Sequence, residues 1–350
     1  MGNKVLIGMS GGVDSSTAAL LLQQAGHEIC GCTMRLYVCP GSSPTDIEDA
    51  KKVAQRLGVE HITLDLQDHF KQNVIEPFTH GYLCGETPNP CIECNRTIKF
   101  GQMLEEARKL GMTHIATGHY AQVEFSETYG RWVVKKAVDH TKDQSYVLYV
   151  MSQDQLSHTY FPLGGMTKPE ARAIAEENGF VNAHKPDSQD ICFVPDGDYA
   201  GFLTGVMGVE SKEGDFVDAN GTVLGRHKGV IHYTIGQRRG LNISFGKRVF
   251  VIGKDAAANT VTLGDDIDLH VSSCLVRDPN WVALEGLTQP VRATVKTRYS
   301  QKEVSATLSP APNGRILVEF DQPQRAPSPG QAAVFYDDDI VLGGGTITAE

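Results

Sequence analysis

The feature that most restricts this chain is Val5-Leu-Ile-Gly-Met9 followed at once by Ser10-Gly11-Gly12-Val13-Asp14-Ser15. The aliphatic run reads as a buried strand. Val13 to Gln24 behind it reads as a helix whose packing face carries Ala18, Leu21 and Leu22. Two glycines between strand and helix let the chain turn with its backbone N–H groups exposed. The hydroxyls of Ser10 and Ser15 add donors, and the helix N-terminus adds positive potential. Such a turn suits phosphate. It lacks the Gly-Lys-Ser/Thr ending of a Walker loop and the Gly-x-Gly-x-x-Gly of a dinucleotide site, so it belongs to neither common class.

The alternation continues. Glu28 to Arg35 reads as a strand, Asp46 to Leu57 as a helix closed by Gly58, and Ile62 to Leu66 as a strand; Lys99 to Leu110, stopped by Gly111, is a helix, and His114 to Thr117 a strand. This pattern predicts a parallel sheet covered on both faces. Thr167-Lys-Pro-Glu170 announces a further helix, with Thr167 as cap, Pro169 in the first turn and an end near Gly179. Beyond about Asp215 the texture becomes short β-branched runs, such as Val249 to Ile252, Thr260 to Leu263, Val291 to Thr297 and Ile316 to Phe320. Asn220-Gly221 and Asn313-Gly314 mark hairpin turns there. The C-terminal part is expected to be mainly β, as two small units joined near Leu269 to Asp278.

At 350 residues the chain is long enough for two or three domains. Its longest apolar run, Tyr146 to Met151, is far below the ~20 residues of a membrane span. Lys4 leads straight into the first strand, unlike a secretory leader, so a cytoplasmic protein with no membrane partner is expected. In a reducing compartment eight cysteines are core thiols, metal ligands or catalysts. The net charge of -10 argues against indiscriminate binding of nucleic acid. Yet Gly225 to Lys254 holds Arg226, Lys228, Arg238, Arg239, Lys247, Arg248 and Lys254 and no Asp or Glu, a local basic face.

Two cysteine motifs remain, Thr87-Pro-Asn89-Pro90-Cys91-Ile-Glu-Cys94-Asn95 and Lys185-Pro-Asp-Ser-Gln-Asp190-Ile-Cys192-Phe193. A lone Cys-x-x-Cys has no second pair to complete a zinc site. Cys30, Cys32, Cys39, Cys84 and Cys274 read as ordinary thiols, Cys30 and Cys32 within a strand.

The hexapeptide Ser10 to Ser15 resembles the pyrophosphate loop of PP-loop ATP pyrophosphatases, which cleave ATP to AMP and pyrophosphate and adenylate an oxygen of their substrate. Further motifs are Thr117-Gly118-His119-Tyr120, Lys142-Asp143-Gln144-Ser-Tyr146 and Tyr233-Thr-Ile-Gly236-Gln237-Arg-Arg-Gly240-Leu241. Taken with the cysteine motifs, the whole chain resembles the tRNA-specific 2-thiouridylase family, which replaces oxygen by sulfur at carbon 2 of the wobble uridine in the anticodon loop. The resemblance implies an α/β fold: a Rossmann-like parallel-sheet PP-loop ATP pyrophosphatase domain over 1–205, a small mainly β domain over 206–272 and a C-terminal β-barrel over 273–350.

It also implies roles. Gly8, Met9, Ser10, Gly11, Gly12, Val13, Asp14, Ser15, Met34 and Gly118 would bind ATP, with Asp14 on Mg²⁺. Asn89, Pro90 and Cys91 would line the pocket of the target base, Cys94 would be the nucleophile, and Cys192 would carry sulfur as a persulfide. His119, Lys142, Asp143, Gln144, Arg298, Tyr299 and Gln331 would contact tRNA, while Arg238 and Arg239 read as phosphate contacts or as solvated arginines of a hairpin. A cysteine desulfurase or a sulfur relay carrier would supply sulfur.

The chemistry is coherent. A pyrimidine carbonyl carbon is a poor electrophile, so AMP attachment to its oxygen precedes displacement by a soft sulfur nucleophile. Two thiols complete the cycle, ending in a Cys94–Cys192 disulfide. Cys91 stands where many relatives of the family have aspartate. Three thiolates at Cys91, Cys94 and Cys192 would alternatively hold a 4Fe-4S cluster with one open iron. More remote readings are another adenylating ligase, which would have no use for the two thiols, and a tRNA- or metal-binding module without activity.

Overall fold

The computed structural model describes residues 2–37, 45–185, 191–243 and 246–349. Cys39 and the stretch 186–190 of the second cysteine motif lie outside them. Strands β1 (Lys4–Gly8), β2 (Glu28–Arg35), β3 (His61–Asp65) and β4 (His114–Ala116) form a parallel sheet in the order β3-β2-β1-β4, and Thr159–Tyr160 adds a short fifth strand beside β4. Val5, Leu6 and Ile7 of β1 are fully buried. Strand alternation sends Val5 and Ile7 to one face, with helix α1 (Val13–Gln24) and the helix Lys168–Glu177, and Leu6 to the other, with Phe100, Met103 and Tyr146. Ile7 pairs with Gly31 on one side and Ala116 on the other, so β1 and β4 end side by side. The strand order reverses at β1, which opens a crevice at that edge.

Local chemistry explains the helices. α2 (Thr45–Leu57) and Lys168–Glu177 lie where the pattern placed them. The Thr167 backbone N–H donates to the Glu170 carboxylate at 2.7 Å, and Gly179 leaves the second helix with φ +62°. The helix expected from Lys99 begins earlier. Asn89 caps it by accepting from the Cys91 N–H at 3.1 Å, and Pro90 takes the first position, where its missing N–H costs nothing. Pro90–Glu93 continues into Cys94–Gln102, wound with i→i+5 bonds, and then Met103–Lys109. A helical run over Gln67–Phe70, Lys71–Ile75 and Glu76–Leu83 was not anticipated, because Pro77 interrupts an apolar face of Phe70, Val74, Phe78 and Tyr82.

The β region forms two units. Phe250–Asp255, Thr260–Gly264, Gly214–Val217 and Val223–His227 make a four-stranded sheet, with the Asn220-Gly221 turn inside it. Six strands from His270–Trp281 to Ile340–Thr348 close on themselves where Leu275 pairs with Thr348. Asn313 and Gly314 make the expected turn with φ +61° and +69°. The segment expected to join the units is mostly strand, since His270–Trp281 already belongs to the barrel and the connecting turn is Asp266–Leu269.

A hairpin of Gln122–Ser126 and Arg131–Lys135, also unanticipated, attaches to the barrel through Lys135 and Ile340. The buried Tyr146 hydroxyl donates to the Ala332 carbonyl at 2.9 Å and pins the parallel-sheet core to the barrel. Among the described residues no helix is long and apolar enough to cross a membrane. Tyr146→Phe is expected to lower stability by about 1–2 kcal/mol, since it strands that carbonyl's second interaction in the core. Denaturant unfolding of the full chain measures this, and an unchanged midpoint would remove the hydroxyl from the stability account.

Candidate active site

The loop after β1 is held by its own hydroxyls. Ser15 Oγ accepts from the Ser10 N–H at 3.1 Å and donates to the Gly12 carbonyl at 3.2 Å, while Ser10 Oγ receives the Gly12 N–H at 3.4 Å. Gly11 has φ +74°, and a Cβ there would lie 2.3 Å from the Asp46 carbonyl oxygen, so only glycine fits. Gly12 begins α1 without a side-chain cap, which leaves first-turn N–H groups available to an anion. Gly118, just past β4, packs on that same turn; a Cβ would lie 2.7 Å from the Ser15 nitrogen. Met34 reaches the loop from β2, its Cε 3.6 Å from where a Gly8 Cβ would stand. Gly8, Met34, Gly118 and the loop from Ser10 to Ser15 therefore lie close together.

Asp14 is already engaged. Both of its carboxylate oxygens accept from Lys168 Nζ, at 2.7 and 2.8 Å, and the Tyr120 hydroxyl donates to one of them at 2.8 Å. Asn182, buried, donates to the Gly11 carbonyl at 3.0 Å and to Ser16 Oγ at 2.9 Å. Lys185 joins the Gly11 side of the loop to Asp46 and Asp49. Sequence spacing gives no sign of these contacts, since each partner comes from a distant segment.

The thiols come together from separate segments. Cys94 is buried and Cys91 and Cys192 are exposed. Phe193 anchors Cys192 by wedging edge-on between Phe70 and Phe78, at 5.7 and 5.3 Å between ring centres. Burial pushes the Cys94 thiol up to about 11, with the Lys99 ammonium opposing the rise and Cys91 adding to it. The protein packed around the Cys192 sulfur pushes it up to about 12, with Cys94 and Cys91 adding and Lys99 opposing. Three thiols and one ammonium thus share one electrostatic neighbourhood. Lys99 reaches it because residues five apart stack in an i→i+5 helix, whereas in an α-helix they would diverge by about 140°. That widening is invisible in the sequence.

The two halves of the site touch through His119, the residue after Gly118. Lys99 Nζ lies 3.5 Å from His119 Nε2, and Thr117 Oγ1 lies 2.7 Å from His119 Nδ1. The ring is buried between Phe100 and Phe161, and burial, then Lys99, holds the imidazole well below its ordinary value. A neutral histidine therefore links thiols and loop.

Residues 3–196 match the family described as tRNA methyl transferase HUP domain, residues 201–265 the tRNA methyl transferase PRC-barrel domain, and residues 271–347 the aminomethyltransferase beta-barrel domain. The tRNA-specific 2-thiouridylase MnmA of Acetivibrio thermocellus is 46% identical over 354 residues, covering 98% of this chain and 99% of that protein. The chain belongs to the tRNA-specific 2-thiouridylase family. The proteins of that name from Treponema denticola and Clostridioides difficile are 48% and 45% identical, covering 98% and 99% of this chain and 97% and 98% of their own length. The family implied by the motifs is the one found, and the α/β sheet, small β unit and closed barrel match the fold it implied.

The residues expected on RNA, from the resemblance or from the basic run, divide into exposed and engaged groups. Arg238 and Arg239 are exposed, and Tyr299 is 46% exposed. The Tyr299 hydroxyl is pushed up by burial, then by Asp143 and Cys91, which puts it within electrostatic reach of that cysteine. Asp143, by contrast, is buried and accepts from the Ala137 and Ser145 N–H groups and the Ser145 hydroxyl. Gln144 accepts from the Tyr120 N–H at 2.9 Å, and Lys142 beside it is half-buried. Arg298 Nη2 donates to the Ile235 and Ala326 carbonyls and to Ser328 Oγ, tying the Tyr233–Leu241 segment to the barrel. Gln331 donates to the Thr87 carbonyl just before Asn89, Pro90 and Cys91.

The basic run is also thinner than its composition. Arg226 pairs with Asp215 and Lys247 with Asp265, while Lys254 is drawn inward to the Tyr233 carbonyl at 3.0 Å, where burial lowers it to about 8. Lys228, Arg238, Arg239 and Arg248 remain exposed.

Raised thiols keep their protons to higher pH than a free cysteine. Alkylation of Cys192 by iodoacetamide should climb about tenfold per pH unit from pH 7 to 10 without levelling, whereas an ordinary thiol levels near its pKa of ~8.5. Lys99→Met removes the opposing cation and should slow the reaction several-fold at fixed pH. Mass-resolved alkylation rates test both, and a plateau below pH 9 would contradict the electrostatics.

Proposed function

We propose that the chain is an ATP-dependent tRNA sulfurtransferase that adenylates the carbon-2 oxygen of the wobble uridine and replaces it by sulfur, yielding 2-thiouridine, AMP and pyrophosphate. The observation that carries this reading is that Cys94 and Cys192, far apart in sequence, share one neighbourhood with Lys99, which touches His119 beside the phosphate loop. An adenylating loop and a pair of thiols are the two tools this reaction requires. Methyl transfer, the word in the family description, would use neither tool, and a ligase with an amine nucleophile would leave both thiols idle.

Gly8 to Ser15, Met34 and Gly118 hold ATP. Mg²⁺, held by Asp14 together with the phosphates, would neutralise charge on departing pyrophosphate. The uridine leaves the anticodon stack and enters a pocket at Asn89, Pro90 and Cys91, because reagents of this size cannot reach carbon 2 within the loop stack. Free thiols held protonated are weak nucleophiles, and a persulfide on Cys192 is more acidic and more nucleophilic. Its terminal sulfur attacks carbon 2, and AMP leaves with the carbon–oxygen bonding electrons. The Cys94 thiolate then attacks the Cys192 sulfur, the sulfur–sulfur bond breaks, and the base departs thiolated. A Cys94–Cys192 disulfide remains, which takes two electrons and two protons from a cellular thiol reductant before a donor protein reloads Cys192. A reducing cytoplasm suits that cycle.

Among the described residues no group of three or more His, Cys, Asp or Glu side chains is disposed to hold a metal ion. Mass analysis of nucleosides after incubation with tRNA, ATP and a persulfide donor tests the reading. Cys192→Ser should adenylate tRNA and make no thiouridine, while Cys91→Ser should still thiolate under air. An inactive Cys91→Ser protein that has also lost reconstituted iron would put the cluster route in its place.

Arg238 and Arg239 are assigned to tRNA phosphates. Replacing both with Ala should weaken tRNA binding and reduce the log–log salt slope by about 0.7 per lost contact. An unchanged slope in filter binding across a salt series would return them to a solvated face.

A further inference from the structure

The phosphate loop carries no cation of its own: from Met9 to Ser16 there is no Lys or Arg, whereas a Walker loop has its lysine in place. The structure brings one from elsewhere. Lys168 opens the helix Lys168–Glu177, with its backbone N–H on Asp139 Oδ2 at 3.0 Å and the Thr167–Glu170 capping box around it. Thr17 Oγ1 donates to the Ala171 carbonyl at 3.0 Å and locks this helix onto α1. The lysine is only 8% exposed, its Nζ spans both oxygens of Asp14, and it stands 5.9 Å from the centre of the Tyr120 ring. A buried ammonium built this firmly beside the loop is more than a solvated charge. Lys185 also reaches the loop, at the Gly11 carbonyl, but it is more exposed and is shared with Asp46 and Asp49.

We propose that Lys168 is a further ATP residue of this site, neutralising Asp14 when no nucleotide is bound and passing to the phosphate chain when Mg-ATP seats, which releases the Asp14 carboxylate to the cation. The inference rests on the ATP reading above. An uncompensated carboxylate in the first turn of α1 would repel the triphosphate, and the ammonium cancels that charge in the free protein. The bound nucleotide brings both a stronger anion for the ammonium and a divalent cation for the carboxylate. A point-charge ammonium on a flexible stem can make this exchange while its backbone stays fixed by Asp139.

Calorimetric titration of the full chain with ATP, with and without Mg²⁺, tests this on wild type, Lys168→Met, Lys168→Arg and Asp14→Asn. Lys168→Met should weaken Mg-ATP binding at least tenfold, and Lys168→Arg should stay within about threefold of wild type. Asp14→Asn keeps the lysine and removes its competitor, so it should bind metal-free ATP at least threefold tighter than wild type while gaining little from Mg²⁺. That variant carries the test if Lys168→Met does not fold. Wild-type affinity in a folded Lys168→Met, or unchanged or weaker metal-free binding in Asp14→Asn, would make Lys168 a brace of the fold and overturn the proposal. A wild-type chain that binds no ATP would overturn the ATP reading itself.

Discussion

The site depends on the close approach of Gly118 to the first turn of α1. No side chain fits between the ends of β1 and β4, so the backbone after β4 lies directly on Ser15 and Asp14. Everything that follows Gly118 inherits this position. His119 is carried beneath the loop to meet Lys99, and Tyr120 is carried to Asp14. One missing Cβ therefore fixes the distance between the region suited to phosphate and the region holding thiols. A parallel sheet provides the setting, since neighbouring parallel strands deliver their following loops to the same edge.

Around that contact the molecule uses buried and partly buried polar groups to join its parts. Tyr146 binds the Ala332 carbonyl, Gln331 and Pro329 bind Thr87, and Arg277 pairs with Glu86 at 2.8 Å. The last three contacts converge on the residues just ahead of Asn89, so the barrel braces the loop that begins the cysteine helix. Such groups are costly to leave unsatisfied in an interior, which gives the junction one favoured arrangement. Of the residues expected on RNA, Arg298 and Gln331 also take part in this bracing. Their position places the exposed neighbours, Tyr299 and the Arg238–Arg239 pair, on the outer surface.

Electrostatics separates two states of the sulfur chemistry. Desolvation of the Cys94 and Cys192 sulfurs favours the protonated thiols, and crowding by a third thiol strengthens that preference. Lys99 is the cation that works against it. Its own neighbour His119 is kept neutral by burial, so that ring adds no positive charge beside the thiols.

Local chemistry determined much of this protein from sequence alone. The strand-turn-helix of β1 and α1, the Thr167 cap, the Asn220-Gly221 and Asn313-Gly314 turns and the buried Cys30 and Cys32 follow from periodicity, capping and backbone freedom, and all were legible. The hairpin of 122–135, the helices of 67–83 and the start at Pro90 were not, because exposed charge or an interior proline blurred the period and tertiary packing decided the outcome. The site divides in the same way. Candidate residues for the chemistry could be read from motifs, whereas their relations could not. The pairing of Asp14 with Lys168, the burial of His119, the widened turn that aims Lys99 at the thiols and the closure of the barrel are contacts between distant segments. Packing alone selects such partners, since a side chain's reach and desolvation depend on what the folded chain places against it.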